Sequence, residues 1–307
     1  RMRTGQKTAQ RWYNDVRLAH SQISGDLRNM LNSNVFPVLT ELEWQLPMYL
    51  TSAGGWVNQE RIDRPNGFDA YQWLQCIEGR GRLEFGGTGE GSADVSAGQG
   101  MLLYPHTPHR YYALEEPWTV VWVTFRGSAV PEVLEKLQLR EGVYTAAEPE
   151  ALRVGVEEAA EVLAGGDPFR GYEGSALLYR LLLGLARSAS FQGRGSRQQR
   201  MASVEPMLRL IESRYAEDLE LSDIAAALGV SPQYACMLFR RSLGMRPFEY
   251  VAKFRLRKAK EMLLSDGGLS VAEVGRRVGY PNTSYFIKQF KRSEGVTPTE
   301  FRRQFLG

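Results

Sequence analysis

The spacing of apolar positions changes rhythm several times along the chain. Within residues 1–35, Trp12, Val16, Ala19, Ile23, Leu27 and Leu31 recur three or four apart, the interval of an amphipathic helix. From about Leu46 to Arg126 the pattern turns to short β-rich runs, at 71–77, 82–85, 101–104, 110–113 and 119–125. Gly79, Gly81, Gly86, Gly87, Gly98 and Gly100 punctuate them, which predicts a barrel or sandwich. Helical spacing returns at 131–137, 150–163 and 173–189. The last stretch is nearly all apolar through Leu177, Leu178, Leu181, Leu182, Leu183 and Leu185, and predicts a helix buried against the barrel or a partner chain. Residues 188–200, rich in Gly, Ser, Arg and Gln, have little to bury and read as an interdomain linker.

Beyond the linker the chain says nearly the same thing twice. Residues 221–229, followed by Phe239, Gly244 and Pro247, return as 271–279, followed by Phe290, Gly295 and Pro298. The offset is 50 from Ile224 to Val274 and 51 from Pro247 to Pro298. Each copy has a small residue (Ala225, Gly275) where two helices must approach closely, then a glycine (Gly229, Gly279) able to take the left-handed conformation of a sharp turn. Ser231 before Pro232 predicts a helix start, and Asn282 or Thr283 does so in the second copy. In the helices that follow, Ala235, Leu238 and Phe239 share one face, as do Phe286 and Phe290 with Tyr285. Left outward are Gln233, Cys236, Met237 and Arg240 in the first, with Ser284, Ile287, Lys288 and Lys291 in the second. Residues 247–264 predict one long helix carrying Lys253, Arg255, Arg257, Lys258 and Lys260, suited to phosphates or to solubility. At about 1.5 Å per residue it would hold the two turns about 25 to 30 Å apart, close to one turn of B-DNA. A helical bundle in which Phe and Gly serve packing alone is the competing reading, but it does not require the duplicated turn.

At 307 residues with 43% hydrophobic content, the chain can form two domains with a core each. It has no apolar run of 18 residues and no secretion signal at its start, so a cytoplasmic protein with no membrane partner is expected. It opens on Arg1, leaving Met2 and Met30 as alternative native starts. Cys76 and Cys236 lie far apart, which argues against a disulfide framework or a cysteine metal site. The net charge of +3 is uneven. Residues 201–307 carry 17 Lys and Arg against 12 Asp and Glu, whereas the rest of the chain has a small acidic excess.

Residues 258–265, 270–274, 278–280, 284–286, Phe290, Lys291, 295–298, Phe301 and Arg302 resemble the signature of the AraC/XylS family of bacterial transcription regulators. The resemblance implies two helix-turn-helix subdomains on an asymmetric site of about two adjacent major grooves, RNA polymerase as a partner, and a homodimer formed through the helices of 150–190. On this sequence the DNA-binding candidates are Gln233, Cys236, Met237, Arg240, Arg241, Arg257, Ser284, Ile287, Lys288, Lys291 and Arg292. Two positions depart from the family pattern. Met237 replaces a polar base reader, and Gly275 replaces an alanine, which loosens its helix by up to about 1 kcal/mol unless closer packing offsets it.

In the N-terminal half, residues 98–112 resemble the second cupin motif and residues 71–81 stand in the place of the first. A metal cupin needs three or four converging ligands. Asn66, Phe68 and Gln72 occupy three of those positions and only His109 remains, so no metal, no cofactor and no catalysis are expected. Trp56, Tyr71, Trp73, Tyr104, Tyr111, Tyr112, Trp118 and Trp122, among Arg61, Arg64, Gln72, Glu78 and His109, instead suit a neutral polyol, with aromatic faces over sugar C–H groups. Some of these rings can equally be core, and Trp73 and Trp122 lean that way. His109 can equally be structural. Tyr111 and Trp118 match positions lining the sugar pocket of an arabinose-responsive family member, while Glu78 stands where that pocket has an arginine. Glu78 either accepts sugar hydroxyls or pairs with an arginine. The effector-site candidates are Arg61, Gln72, Trp73, Glu78, His109, Tyr111 and Trp118.

The expectation is an α+β chain: a segment at 1–40, a cupin-like β-barrel at 41–130, helices for dimerisation at 131–190, a linker at 191–203, and an all-α domain at 204–307 with two helix-turn-helix motifs joined by a long helix. Its expected function is a transcription regulator that binds double-stranded DNA and activates carbohydrate uptake or utilisation genes on sensing a small molecule, a sugar. The rivals are a cupin metal enzyme with a DNA-binding accessory domain and a ligand-independent DNA binder.

Overall fold

A computed structural model describes residues 31, 34–86, 91–191, 195–265 and 268–306. The helix expected from Trp12 to Leu31 lies outside them except at Leu31, which is not helical but forms an isolated bridge with Gly55. The chain divides into two compact units, Arg1–Arg197 and Gln198–Gly307.

The first unit is built on one antiparallel sheet. Its strands are β1 (Asn34–Val35), β2 (Tyr49–Trp56), β3 (Ile62–Arg64), β4 (Tyr71–Phe85), β5 (Gly91–Ser96), β6 (Gln99–Leu103), β7 (His109–Arg126), β8 (Gly142–Ala146) and β9 (Ala189–Phe191). They run in the order β1-β2-β7-β4-β6-β8-β9, with β3 added to β7 and β5 to β4. The two long strands pair from Tyr71 opposite Phe125 to Phe85 opposite His109, with register shifts between Cys76 and Gly81. Bulges of this kind bend a strand and raise its twist, so the pair curls and one face becomes an interior. They also switch which residues point inward. Leu74 and Cys76 before the bulges, and Leu83 after them, meet Val95, Met101, Leu103, Tyr111, Trp118 and Val120 in the barrel core.

The outer face of β2 and β7 carries a second core under helices α2 (Val130–Leu137), α3 (Pro149–Ala164) and α4 (Arg170–Ser188); a short α1 (Glu41–Trp44) precedes β2. Three expectations change here. Gly79 and Gly81 lie inside β4 rather than at turns between strands. Gly79 holds φ +78, and a Cβ on Gly81 would stand 2.3 Å from the Trp118 ring. The sheet extends past residue 130, because β8 and β9 join its edge and take residues 189–191 out of the linker. Finally, α4 buries only one face: Leu177, Leu178, Leu181, Leu182 and Leu185 pack inward while Leu183 remains 42% exposed.

A short helix α5 (Arg197–Ala202) also lies within the expected linker. The second unit is otherwise α6 (Glu205–Arg214), α7 (Leu221–Ala226), α8 (Pro232–Leu243), α9 (Pro247–Ser265), α10 (Val271–Arg277), α11 (Thr283–Glu294) and α12 (Pro298–Leu306). It has two cores, one around Ile224, Ala235 and Phe239 and one around Val274, Phe286 and Phe290, which α9 joins by contributing Val251 to the first and Leu256, Ala259 and Leu263 to the second.

Candidate functional site

The first helix-turn-helix runs from α7 to α8. Gly229 sits at φ +63 in the turn, Ser231 accepts a hydrogen bond from Tyr234 N at 3.3 Å, and Pro232 opens α8. With Ala235 and Phe239 wholly buried, the opposite face presents Gln233, Met237, Arg240 and Arg241 to solvent and leaves Cys236 half-buried. These five residues line one shallow depression of about 750 Å³ together with Leu221 and Arg246. Arg246 was not singled out from the sequence; its position between the Gly244 turn and Pro247 was the available signal.

The second copy repeats the geometry from α10 to α11. Gly279 takes φ +87, and Asn282 rather than Thr283 caps the helix, accepting from Tyr285 N at 2.9 Å. Gly275 lies against the Phe286 ring, which a Cβ would approach to 3.0 Å, so closer packing compensates for the glycine. Ser284, Lys288, Lys291 and Arg292 are exposed, while Ile287 is half-buried against the core. Tyr285 does not pack as expected. One position before Phe286 on the helix, it is turned about 100° away from the core, and its ring stands 54% exposed, 6.0 Å from that of Tyr280.

The basic helix α9 is not a uniform phosphate-binding rod. Arg255 donates to three backbone carbonyls: Nε to Tyr215 O at 2.6 Å, Nη2 to Glu217 O at 2.7 Å and Nη1 to Gly279 O at 2.9 Å. It therefore ties the entry of the first helix-turn-helix to the turn of the second. Lys258 pairs with Glu261 at 2.6 Å and Lys260 with Glu294 at 3.0 Å. Arg257 stacks over Phe254 at 4.3 Å and lies 3.6 Å from Glu261, with its side chain more than half exposed, and Lys253 is exposed.

In the first unit, the candidates fall on different surfaces. His109, Tyr111 and Trp118 line the barrel interior, with ring centroids 6.1 Å apart for the first pair and 6.2 Å for the second. Gln72, on the same side, is buried and accepts from Arg64 Nη1 at 2.8 Å. Trp73, its neighbour on an alternating strand, points the other way into the helix-covered core against Tyr144. Arg61 is exposed and lies over the Tyr112 ring, outside the barrel. Glu78 is half-buried among the bulges of β4.

His109 is 3% exposed, and burial lowers its pKa, with a smaller contribution from the Arg64 cation. Its Nδ1 lies 2.9 Å from Thr107 O, which can only accept. The neutral ring therefore carries its proton on Nδ1, and Nε2 is an acceptor, buried and without a hydrogen-bond partner. Among the described residues no group of three or more His, Cys, Asp and Glu could hold a metal ion, and no helix is long and apolar enough to cross a membrane.

Residues 56–182 match the model of an AraC-like ligand binding domain, and residues 224–304 that of a helix-turn-helix domain. The chain is 27% identical over 255 residues to the Msm operon regulatory protein of Streptococcus mutans, covering 80% of this chain and 90% of that one. It is 26% identical to the MmsAB operon regulatory protein of Pseudomonas aeruginosa, covering 84% of this chain and 83% of that one. Other curated relatives align over about a third of this chain, which spans about a third of their length. Among solved structures, the C-terminal domain of AraT, a response regulator from Geobacillus stearothermophilus, is 35% identical over 33% of this chain and 84% of that chain, with a TM-score of 0.32.

Proposed function

We propose that the chain is a DNA-binding transcriptional regulator of the AraC family, that its barrel senses a carbohydrate, and that occupancy changes how the two helix-turn-helix units engage an operator. One observation carries the sensing reading: His109 Nε2 is a buried acceptor without a partner, beside the Tyr111 and Trp118 rings, an arrangement that suits a hydroxylated ligand. On DNA, α8 and α11 enter successive major grooves. Ser284, Lys288, Lys291 and Arg292 read through polar contacts, whereas Gln233, Cys236 and Met237 lean on shape and thymine methyl groups, with Arg240 and Arg241 at the backbone. Helix α9, about 28 Å long from its 19 residues, sets their separation.

The protein works in the cytoplasm as a homodimer that activates transcription through RNA polymerase. The groove between α3 and α4, about 970 Å³, supports the dimer. It is lined by Leu152, Val154, Leu181 and Leu183 with Gly155 and Gly184. Ion pairs Glu158–Arg180 and Glu148–Arg187 border it.

The test is a thermal-shift screen of mono- and oligosaccharides joined to promoter binding. A sugar that both stabilises the chain and changes operator affinity is expected, since a ligand must favour one arrangement to shift it. No stabiliser and no effect on binding would leave a ligand-independent DNA binder. Stoichiometric iron, manganese or zinc in the purified protein would revive the enzyme reading.

A further inference from the structure

Resting on the sensing reading, we infer that the effector carries a single carboxylate, held by Arg64, and a hydroxyl that donates to His109. The argument begins with strand β3. Ile62 packs against the barrel core, Asp63 pairs outward with Arg110 at 2.8 Å, and Arg64 turns inward again. Its backbone pairs with that of His109, and its guanidinium reaches across to buried Gln72. One face of that guanidinium lies 4.3 Å over the Phe68 ring.

Both neighbours are neutral, and among the described residues no carboxylate stands within ion-pairing reach. Asp63 is held by Arg110, Asp69 by Arg126, and Glu84 by Tyr112 and Arg110. Half-buried, with only an amide and a ring for company, the Arg64 cation is incompletely compensated. An incoming anion supplies the missing charge.

The charge and shape of that anion follow from the same residues. His109 is neutral, so Arg64 contributes one positive charge, which matches a carboxylate better than a phosphate dianion. With Phe68 on a face and Gln72 on Nη1, the guanidinium has an edge left for a planar two-oxygen group. His109 Nε2 offers a lone pair, which repels anionic oxygens and accepts from a hydroxyl. A molecule with both groups and rings of C–H for Tyr111 and Trp118 is a sugar acid, a uronate or aldonate, rather than the neutral sugar expected from the sequence.

The test uses the full chain with galacturonate, glucuronate and gluconate against galactose, glucose and glucose 6-phosphate. Binding is read by calorimetry and by the tryptophan-detected melting temperature, and the variants are Arg64→Gln and Arg64→Lys. At least one sugar acid should bind about 10- to 100-fold tighter than its neutral counterpart, from the strength of charge-assisted hydrogen bonds. Arg64→Gln should remove that preference, and Arg64→Lys, which keeps the charge without the fork, should retain part of it. Wild-type melting of the unliganded variants checks that they fold. Equal binding of neutral sugars, unchanged in Arg64→Gln, overturns the carboxylate and leaves sugar sensing intact. A preference for the phosphate also overturns it. No binding by any of the six overturns both.

Discussion

Replacing Arg255 by alanine separates scaffolding from DNA contact on the basic helix. The change removes three donors from the carbonyls of Tyr215, Glu217 and Gly279. Hydrogen bonds to a charged group contribute about 1.5 to 3 kcal/mol each when well buried. Here the site is only partly buried and the three share one side chain, so the contributions do not add, and a total of about 3 kcal/mol is expected. For a unit of this size that corresponds to a fall in melting temperature of roughly 12 °C or more. The assay has an internal control, because all six tryptophans lie at or before Trp122. Helices of both units contribute to circular dichroism, so the part of the helix loss not accompanied by the tryptophan transition should move to lower temperature while the tryptophan transition stays in place. The salt dependence of DNA binding should keep its slope. Arg257→Ala, by contrast, should leave the melt nearly unchanged and lower that slope by about one. An unmoved helix transition in Arg255→Ala, with a shallower salt slope, would refute the staple and make Arg255 a phosphate contact.

Other outcomes follow from single residues. Lys288→Ala should weaken specific binding by roughly 1 to 3 kcal/mol at one base position; equal losses on specific and random duplex would make it a backbone contact. Burial pushes the Cys76 thiol up to about 11, so it should resist iodoacetamide until the barrel unfolds, whereas half-exposed Cys236 should react and be protected by DNA. Mass-resolved labelling checks both. Because His109 has its pKa lowered in the folded protein, its contribution to stability is present above the ordinary histidine value of about 6.5 and is lost as pH falls through the folded value. The barrel melt should therefore drop on acidification, and His109→Gln should flatten that dependence. Gly81→Ala drives a methyl into the Trp118 ring and should destabilise the barrel by about 1 to 3 kcal/mol, read as an earlier tryptophan transition.

The second unit was legible in the sequence because its determinants are local. Ser231, Gly229, Gly279 and the buried Phe239, Phe286 and Phe290 act within one turn or across one helix pair, and spacing alone reveals them. Tyr285 is exposed although its spacing groups it with the core, because an aromatic beside a buried one at the start of a helix has the same composition as a core residue. The role of Arg255 was hidden because its acceptors are carbonyls some 24 to 40 residues away, which no side-chain pattern marks.

The barrel was legible as a class but not in its strand bounds. Gly79 and Gly81 looked like turns, yet they sit in bulges where two long strands bend around Trp118. Strands β8 and β9 carry little sequence signal because they are short and add to the sheet edge from beyond intervening helices. On β4, an alternating strand sends Gln72 and Trp73 to opposite faces, and only the register says which is inside. Arg64 stood among the polar residues from the start, but its lack of an acidic partner is a property of three dimensions.

The central claim is that the barrel and the two DNA readers are coupled, and operator affinity measured with the barrel empty and filled tests it directly. The full chain, bound to an operator selected from random duplex, would be titrated by fluorescence anisotropy at fixed salt with and without a saturating sugar acid that raises its tryptophan-detected melting temperature. The account predicts a change in Kd of about 5- to 150-fold, the usual span of coupling between two sites. The same Kd with the barrel demonstrably occupied would contradict it.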